Sequence, residues 1–155
     1  MMNRLQSPFK LTVETSVKVP FHDVDSARVV WHGRYFKYFE LARCELLERI
    51  DYNYDEMARS GYVWPIVDTS ARFLRPVFFN QEIVVGAALM EWELRLVIDY
   101  QIHDSEGTIY TRASTTQVPL DVETYELQIG TPQVLNARME RFLASAARKQ
   151  NHYGK

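Results

Sequence analysis

The stretch YFKYFELARCELLERI, residues 35–50, decides the fold of this 155-residue chain. Five of its apolar side chains recur at helical spacing and form one stripe: Tyr35, Phe39, Ala42, Leu46 and Ile50. The spacing predicts a helix of about four turns. Four more apolar residues widen the stripe, namely Phe36, Tyr38, Leu41 and Leu47. A helix with so little polar surface needs cover on several sides, and a curved sheet can provide that cover.

The segments around this helix have the alternation and the β-branched content of strands. Residues 11–19 alternate apolar and polar side chains, which predicts a half-buried strand that ends at Pro20. Four further strands are expected at residues 64–74, 82–90, 94–103 and 108–118. Their connections are too short to contain crossover helices, so the sheet should be mostly antiparallel.

Together these elements predict a single α+β domain, residues 1–155, in which a curved antiparallel sheet surrounds one long central helix. A helix is added at the C-terminal end, over residues 131–149, with Pro132 at its first position. The length suits one domain that buries a core without disulfides or metals. Residues 1–8 are polar and contain Pro8, so we expect a flexible segment without a secretion signal.

The composition argues against several classes of function. The chain has 18 basic and 20 acidic residues, so nucleic acid is not an expected partner. No run of 18 apolar residues is available for a membrane span. Cys44 is the only cysteine and can form neither an internal disulfide nor a thiolate zinc site. We therefore expect a cytoplasmic protein in which Cys44 serves packing.

The candidate chemistry lies in the segment FHDVDSARVVWHGRY, residues 21–35. Two carboxylates, Asp23 and Asp25, lie close in sequence to His32, just before the predicted buried helix. The first turn of a helix offers unpaired N–H groups and the positive end of the helix dipole, which stabilise a developing oxyanion. A carboxylate held opposite could attack a carbonyl carbon or activate water. The arrangement suits transfer of an acyl group to water.

The same residues resemble a known family, the hotdog-fold acyl-CoA thioesterases of the 4-hydroxybenzoyl-CoA thioesterase group. The resemblance is closest to the YbgC-like branch, whose pattern is an aromatic residue, D-x-D, V-V-[WY]-H, a small residue and Y-x-x-[YF]-[FY]-E-x-A-R. In this chain the pattern is formed by Phe21, Asp23, Asp25, Val29 to His32, Gly33, and Tyr35 to Arg43. Weaker similarity continues as far as residue 122.

The resemblance implies a thioesterase that converts an acyl-CoA and water to a carboxylic acid and coenzyme A. It implies that Asp25 is the nucleophile or general base. The backbone N–H of His32 would polarise the thioester carbonyl, and its imidazole would assist. No metal or redox cofactor is implied. Members of the family usually pair, so we expect a homodimer or homotetramer whose subunits share the active site.

Substrate binding is assigned to four further residues of the segment: Trp31, Gly33, Tyr35 and Arg28. The two aromatic residues are explained more simply as core or subunit-interface residues, although they could line an acyl pocket. Arg28 departs from the family pattern, which usually has glycine there, and it could narrow the cleft or contact the substrate. Three arginines on the predicted sheet are candidates for contacts with coenzyme A phosphates, although exposed arginines are ordinary there: Arg72, Arg75 and Arg112.

Several alternatives remain open at this point. Asp23 also fits a structural role in the loop, and Glu40 is the alternative base, because a sister branch of the family uses a helix carboxylate. A metal held by His22 with the neighbouring carboxylates fits no known ligand spacing. The D-x-D sequence also occurs in haloacid-dehalogenase-type phosphatases, but the downstream lysine and parallel sheet of that class are not expected here. The alternative functions are a non-catalytic acyl-CoA-binding protein and a thioesterase acting on acyl carrier protein.

Overall fold

The fold is that of a computed structural model, which describes residues 11–152. Residues 1–8, for which flexibility is predicted, lie outside the described residues. The described residues form seven strands: β1 (Thr12–Lys18), β2 (Tyr62–Val63), β3 (Ile66–Phe73), β4 (Glu82–Glu91), β5 (Leu96–His103), β6 (Ile109–Gln117) and β7 (Leu120–Asp121). Five of them form one antiparallel sheet in the order β1-β4-β5-β6-β3, and β2 pairs with β7 in a small second sheet.

In the part of the chain that the structure describes, three α-helices accompany the sheet: α1 (Tyr35–Glu48), α2 (Tyr54–Arg59) and α3 (Gln133–His152). One turn of 3-10 helix, His32–Arg34, leads directly into α1. Helix α1 packs against β1 and β4. Its buried side chains are Tyr35, Tyr38, Phe39, Ala42, Arg43, Leu46 and Leu47. Phe36 and Leu41 stay exposed, at 42% and 50%, so the expected cover is missing on one face of the helix in a single chain.

The core lies between α1 and the sheet. Strand β5 illustrates this arrangement. Every second residue of this strand is buried: Leu96, Ile98, Tyr100 and Ile102. Side chains of successive strand residues point to opposite faces, so one face of the sheet is apolar and the other is polar. No helix within residues 11–152 is long and apolar enough to cross a membrane.

The predicted antiparallel sheet with helices is confirmed, and each of the five long strands ends within two residues of its predicted limits. The C-terminal helix covers Gln133–His152 instead of 131–149. Helix α2 was not predicted, although Asn53 caps it by accepting a hydrogen bond of 3.1 Å from the Glu56 N–H. One and a half turns are too short to show a clear apolar period in the sequence.

Candidate active site

A cavity of about 320 Å³ lies where the loop after β1, the start of α1 and the end of β3 meet. The loop and the helix contribute Asp25, His32 and Tyr35 to its wall. The segment that leaves β3 contributes Phe73, Leu74 and Arg75. Three of the six predicted site residues thus share one cavity. Among the described residues, Arg28, Trp31 and Gly33 do not line it.

Asp25 occupies the first position of a tight turn. Its carbonyl oxygen accepts a hydrogen bond of 2.9 Å from the Arg28 N–H, and its own N–H donates to the Val29 carbonyl at 2.9 Å. The carboxylate Oδ1 accepts from the Ala27 N–H at 2.8 Å. Within residues 11–152, Oδ2 has no hydrogen-bond partner. The turn therefore fixes the orientation of the carboxylate while one oxygen stays available beside the cavity.

Arg28 closes this turn with a φ of 65°, in the left-handed region. A tight turn followed by a left-handed residue is a common hairpin connection, and glycine is favoured at its last position because it has no Cβ. This geometry explains why glycine is usual there in the family that the sequence resembles. The Arg28 guanidinium lies over the ring of Phe79, 5.7 Å from its centroid. Arg28 therefore packs on the protein instead of narrowing the cavity, contrary to one of the expectations above.

His32 begins the 3-10 turn that leads into α1, and among the described residues its backbone N–H has no acceptor. The first N–H groups of a helix lack partners within the helix and lie at the positive end of its dipole. His32 also lines the cavity. A polarised, unpaired donor is therefore placed at the same cavity as Asp25.

Trp31 and Gly33 contact each other rather than the cavity. A Cβ atom at Gly33 would overlap the Trp31 ring, so only glycine leaves room for the ring in this position. The ring also lies against His32, with centroids 4.8 Å apart, and Trp31 is 48% exposed. The pair packs over the outside of the helix start and supports the His32 ring.

Asp23 is the buried member of the carboxylate pair, at 2% exposure. Its Oδ2 accepts a hydrogen bond of 2.8 Å from the Tyr38 hydroxyl on α1. The pKa of Tyr38 is raised, first by burial and then by this hydrogen bond to a carboxylate. Oδ1 makes no hydrogen bond to any of the described residues and lies 3.6 Å from Lys37 Nζ and 3.8 Å from Arg34 Nε. These cations stabilise the buried negative charge.

Glu40, the alternative base, does not lie at the cavity, and among the described residues the possible metal ligands around His22 are not grouped for a metal ion. Glu40 is 62% exposed, lies 3.9 Å from Arg43 Nη2 and is outside the cavity lining. Arg43 is buried and donates to the hydroxyls of Tyr54 at 2.9 Å and Tyr100 at 3.3 Å. Within residues 11–152, no three histidine, cysteine or acidic side chains are grouped closely enough to hold a metal ion.

A sequence profile of the thioesterase-like superfamily matches residues 19–146, which include the whole cavity. The chain belongs to this superfamily. The predicted class of enzyme, a thioester hydrolase, is confirmed by this membership together with the similarity to the Bacillus subtilis protein described next.

Three relatives illustrate the range of similarity. The putative acyl-CoA thioesterase YneP of Bacillus subtilis is 22% identical over 111 residues, which is 71% of this chain and 80% of that protein. The chloroplastic acyl-acyl carrier protein thioesterase ATL3 of Arabidopsis thaliana is 36% identical over 76 residues, which is 49% of this chain and 40% of that protein. A structure of DHNA-CoA thioesterase from Staphylococcus aureus superposes with a TM-score of 0.73 at 21% identity, covering 93% of this chain and 95% of that one.

Proposed function

We propose that the substrate of this thioester hydrolase is an acyl-CoA, cleaved by water to a carboxylic acid and coenzyme A, and that the chain belongs to the YbgC-like branch. One observation carries the proposal: a single cavity holds a carboxylate with an available oxygen, Asp25, and an unpaired helix-start N–H, that of His32. The hotdog arrangement, a sheet curved around α1, is part of the same proposal. It is supported by the likeness to the Staphylococcus aureus structure.

The two groups have complementary roles in the proposed reaction. The thioester carbonyl oxygen rests on the His32 N–H, where the developing negative charge is stabilised by a fixed donor and the helix dipole. Asp25 Oδ2 either attacks the carbonyl carbon or removes a proton from the attacking water. When Asp25 activates water, the carbon–sulfur bond breaks after the hydroxyl group has added, the thiolate of coenzyme A takes up a proton, and the acyl group leaves as a carboxylate. When Asp25 attacks the carbonyl carbon, the same bond breaks and the acyl group stays on Asp25 as a mixed anhydride, which water then hydrolyses to the carboxylic acid and free Asp25.

The remaining cavity wall is suited to an acyl group. Tyr35 and Phe73 pack against each other with ring centroids 4.8 Å apart, and both line the cavity together with Leu74. Apolar walls with a few polar groups are typical of small-molecule sites. These residues are proposed to contact the acyl chain, and the cavity needs neither metal nor redox cofactor in this scheme.

A homodimer or homotetramer is part of the proposal. Strand β3 lies at an edge of the sheet, and within the described residues its outer side is unpaired. Val67 and Phe73 on this strand are 58% and 45% exposed. Natural proteins seldom leave a long apolar edge uncovered. A second copy paired along β3 would lie directly beside the cavity, because the residues that follow β3 form part of its wall.

A second candidate substrate is an acyl group carried by acyl carrier protein. The observation that favours it is the similarity to the Arabidopsis thaliana enzyme over 49% of this chain. The chemistry at Asp25 and His32 would be the same for either carrier. The case for a non-catalytic acyl-CoA binder is weaker, because it rested on Arg28, which packs on Phe79 instead.

The test is hydrolysis of short, medium, long and aromatic acyl-CoA thioesters, followed by release of free thiol. Asp25→Asn keeps the shape and the turn hydrogen bond, and it should lower kcat/KM about 100-fold or more. Glu40→Gln is the matched control, since it also neutralises one carboxylate but lies outside the cavity. Loss of activity in Glu40→Gln with Asp25→Asn unaffected would place the base on α1 and refute the proposal. Turnover of acyl carrier protein thioesters alone would select the second candidate.

A further inference from the structure

Two arginines face each other across neighbouring strands on the polar side of the sheet. Arg72 on β3 is the register partner of Arg112 on β6, and both side chains are exposed. Directly opposed residues of an antiparallel pair have Cβ atoms about 5 Å apart, and like charges there destabilise the sheet. An anion bound between the two guanidinium groups would remove this repulsion.

The neighbours of the pair do not neutralise it. Within residues 11–152, neither Arg72 nor Arg112 forms an ion pair. In the strand register, Arg112 is flanked on β5 by the uncharged Gln101. The adjacent position along both strands holds serine, Ser70 opposite Ser114. Asp99 on β5, the register partner of Ser114, places one carboxylate on the same face, but within residues 11–152 it forms no ion pair with either arginine.

A third arginine connects this pair to the cavity. Arg75 lines the cavity and is exposed, and its Nη1 donates a hydrogen bond of 2.7 Å to the Ile109 carbonyl at the start of β6. It follows Arg72 by three residues, which along an extended chain is about 10 Å. Ile109 in turn precedes Arg112 by three residues. Arg75 therefore connects the end of β3, which borders the cavity, to the start of β6, and the opposed pair Arg72 and Arg112 lies three residues further along these two strands on the polar face of the sheet.

We propose that Arg72 and Arg112 bind the phosphate groups of the coenzyme A portion of the substrate, an inference that rests on the proposed function. Coenzyme A carries its phosphates at the end remote from the thioester, so a thioester held in the cavity leaves them outside it. Guanidinium groups bind phosphate through paired, charge-assisted hydrogen bonds. Arg75 lines the cavity and would therefore lie beside the pantetheine arm where that arm leaves it.

The experiment compares the double variant Arg72→Gln/Arg112→Gln with Arg141→Gln/Arg148→Gln, which removes the same charge from exposed positions on α3. Each protein is assayed on an acyl-CoA and on the corresponding N-acetylcysteamine thioester, which lacks phosphates. The sheet variant should raise KM about tenfold for the acyl-CoA, with kcat unchanged. It should leave the N-acetylcysteamine thioester unaffected, and the α3 variant should leave both unaffected. The melting temperature should not fall, because a repulsion is removed.

Binding of coenzyme A itself, measured by calorimetry at increasing salt, separates this inference from the proposed function. Weaker binding by the sheet variant supports the phosphate site even if no thioester is hydrolysed. Normal hydrolysis with unchanged coenzyme A binding refutes the phosphate site and leaves the thioesterase intact. An equal rise of KM on both thioesters, or a rise seen only with acyl carrier protein as the carrier, would also overturn it.

Discussion

The Tyr38 hydroxyl donates a hydrogen bond of 2.8 Å to the buried carboxylate of Asp23, and this bond joins the loop that carries Asp25 to helix α1. The Asp23 carbonyl also accepts from the Trp31 N–H at 3.0 Å. One residue thus fixes both ends of the segment 24–31. The distance between Asp25 and the start of α1 depends on this anchor.

Tyr38→Phe should destabilise the protein by about 1–3 kcal/mol, because it leaves both oxygens of a buried carboxylate without a hydrogen bond. It should also lower kcat, since the loop that carries Asp25 loses its attachment to α1. Urea unfolding and thioester hydrolysis measure the two effects. Tyr110→Phe is a matched control, because Tyr110 also donates to a carboxylate, that of Asp104 at 3.1 Å, but in a partly exposed place. Equal losses in both variants would show that Asp23 is not an anchor.

Arg28 offers a test of the turn at the candidate active site. Arg28→Ala removes the contact with Phe79 and keeps a Cβ in the left-handed region, where it costs about 1–2 kcal/mol. Arg28→Gly removes the same contact but relieves the strain. The glycine variant should therefore be more stable than the alanine variant by about 1 kcal/mol, net of the greater flexibility of glycine in the unfolded chain. Identical unfolding midpoints would mean that residue 28 is not left-handed in solution.

Much of the fold could be predicted from local patterns alone. The alternation in β1 and the stripe on α1 reflect burial on one face, which sequence spacing records directly. The connection Asp104–Gly107 contains the aspartate and glycine that favour a tight turn, and the Asp104 side chain accepts from the N–H groups of Glu106 and Thr108 there. These patterns show which face of a helix or strand is buried, and they carry no information about contacts between elements.

The candidate site was predicted less completely, because its geometry depends on residues distant in sequence. Asp25, His32 and Tyr35 are close in sequence and line one cavity, but Phe73 and Arg75 join them only after β3 returns to the start of α1. No motif could show that Trp31 would turn outward over Gly33. The Tyr38 anchor was also missed, since a tyrosine within an apolar stripe is usually explained as a core residue.

The buried tyrosines give the protein a specific dependence on alkaline pH. Burial is the main cause of a raised pKa at Tyr35, Tyr38, Tyr52 and Tyr100. In the unfolded chain these phenols regain an ordinary pKa of 10.0. Above that pH the unfolded chain loses protons that the folded protein keeps. The free energy of unfolding is therefore constant with respect to these groups below pH 10.0 and falls as the pH rises above it.

The expected slope is about 1.4 kcal/mol per pH unit for each tyrosine that remains protonated in the folded state. Urea unfolding at a series of pH values above 10.0 measures it. Tyr38→Phe should make the slope shallower by the contribution of one tyrosine, about 1.4 kcal/mol per pH unit. Phenolate absorbance gives an independent check, because the four phenols should ionise only as the protein unfolds. Their ionisation near the ordinary pKa in the folded protein would contradict this account.

The free edge of β3 leads to the last prediction, on assembly. If a second copy pairs along this edge, light scattering should give at least twice the 18.2 kDa mass of one chain at micromolar concentration. Val67→Lys places a charge on the exposed apolar edge and should shift the protein towards single chains. Leu94→Lys is the control, because Leu94 is similarly exposed, at 62%, but lies in the connection between β4 and β5. Hydrolysis should fall together with mass in Val67→Lys, since the end of β3 forms part of the cavity wall. A fully active single chain would show that one subunit is sufficient for the site.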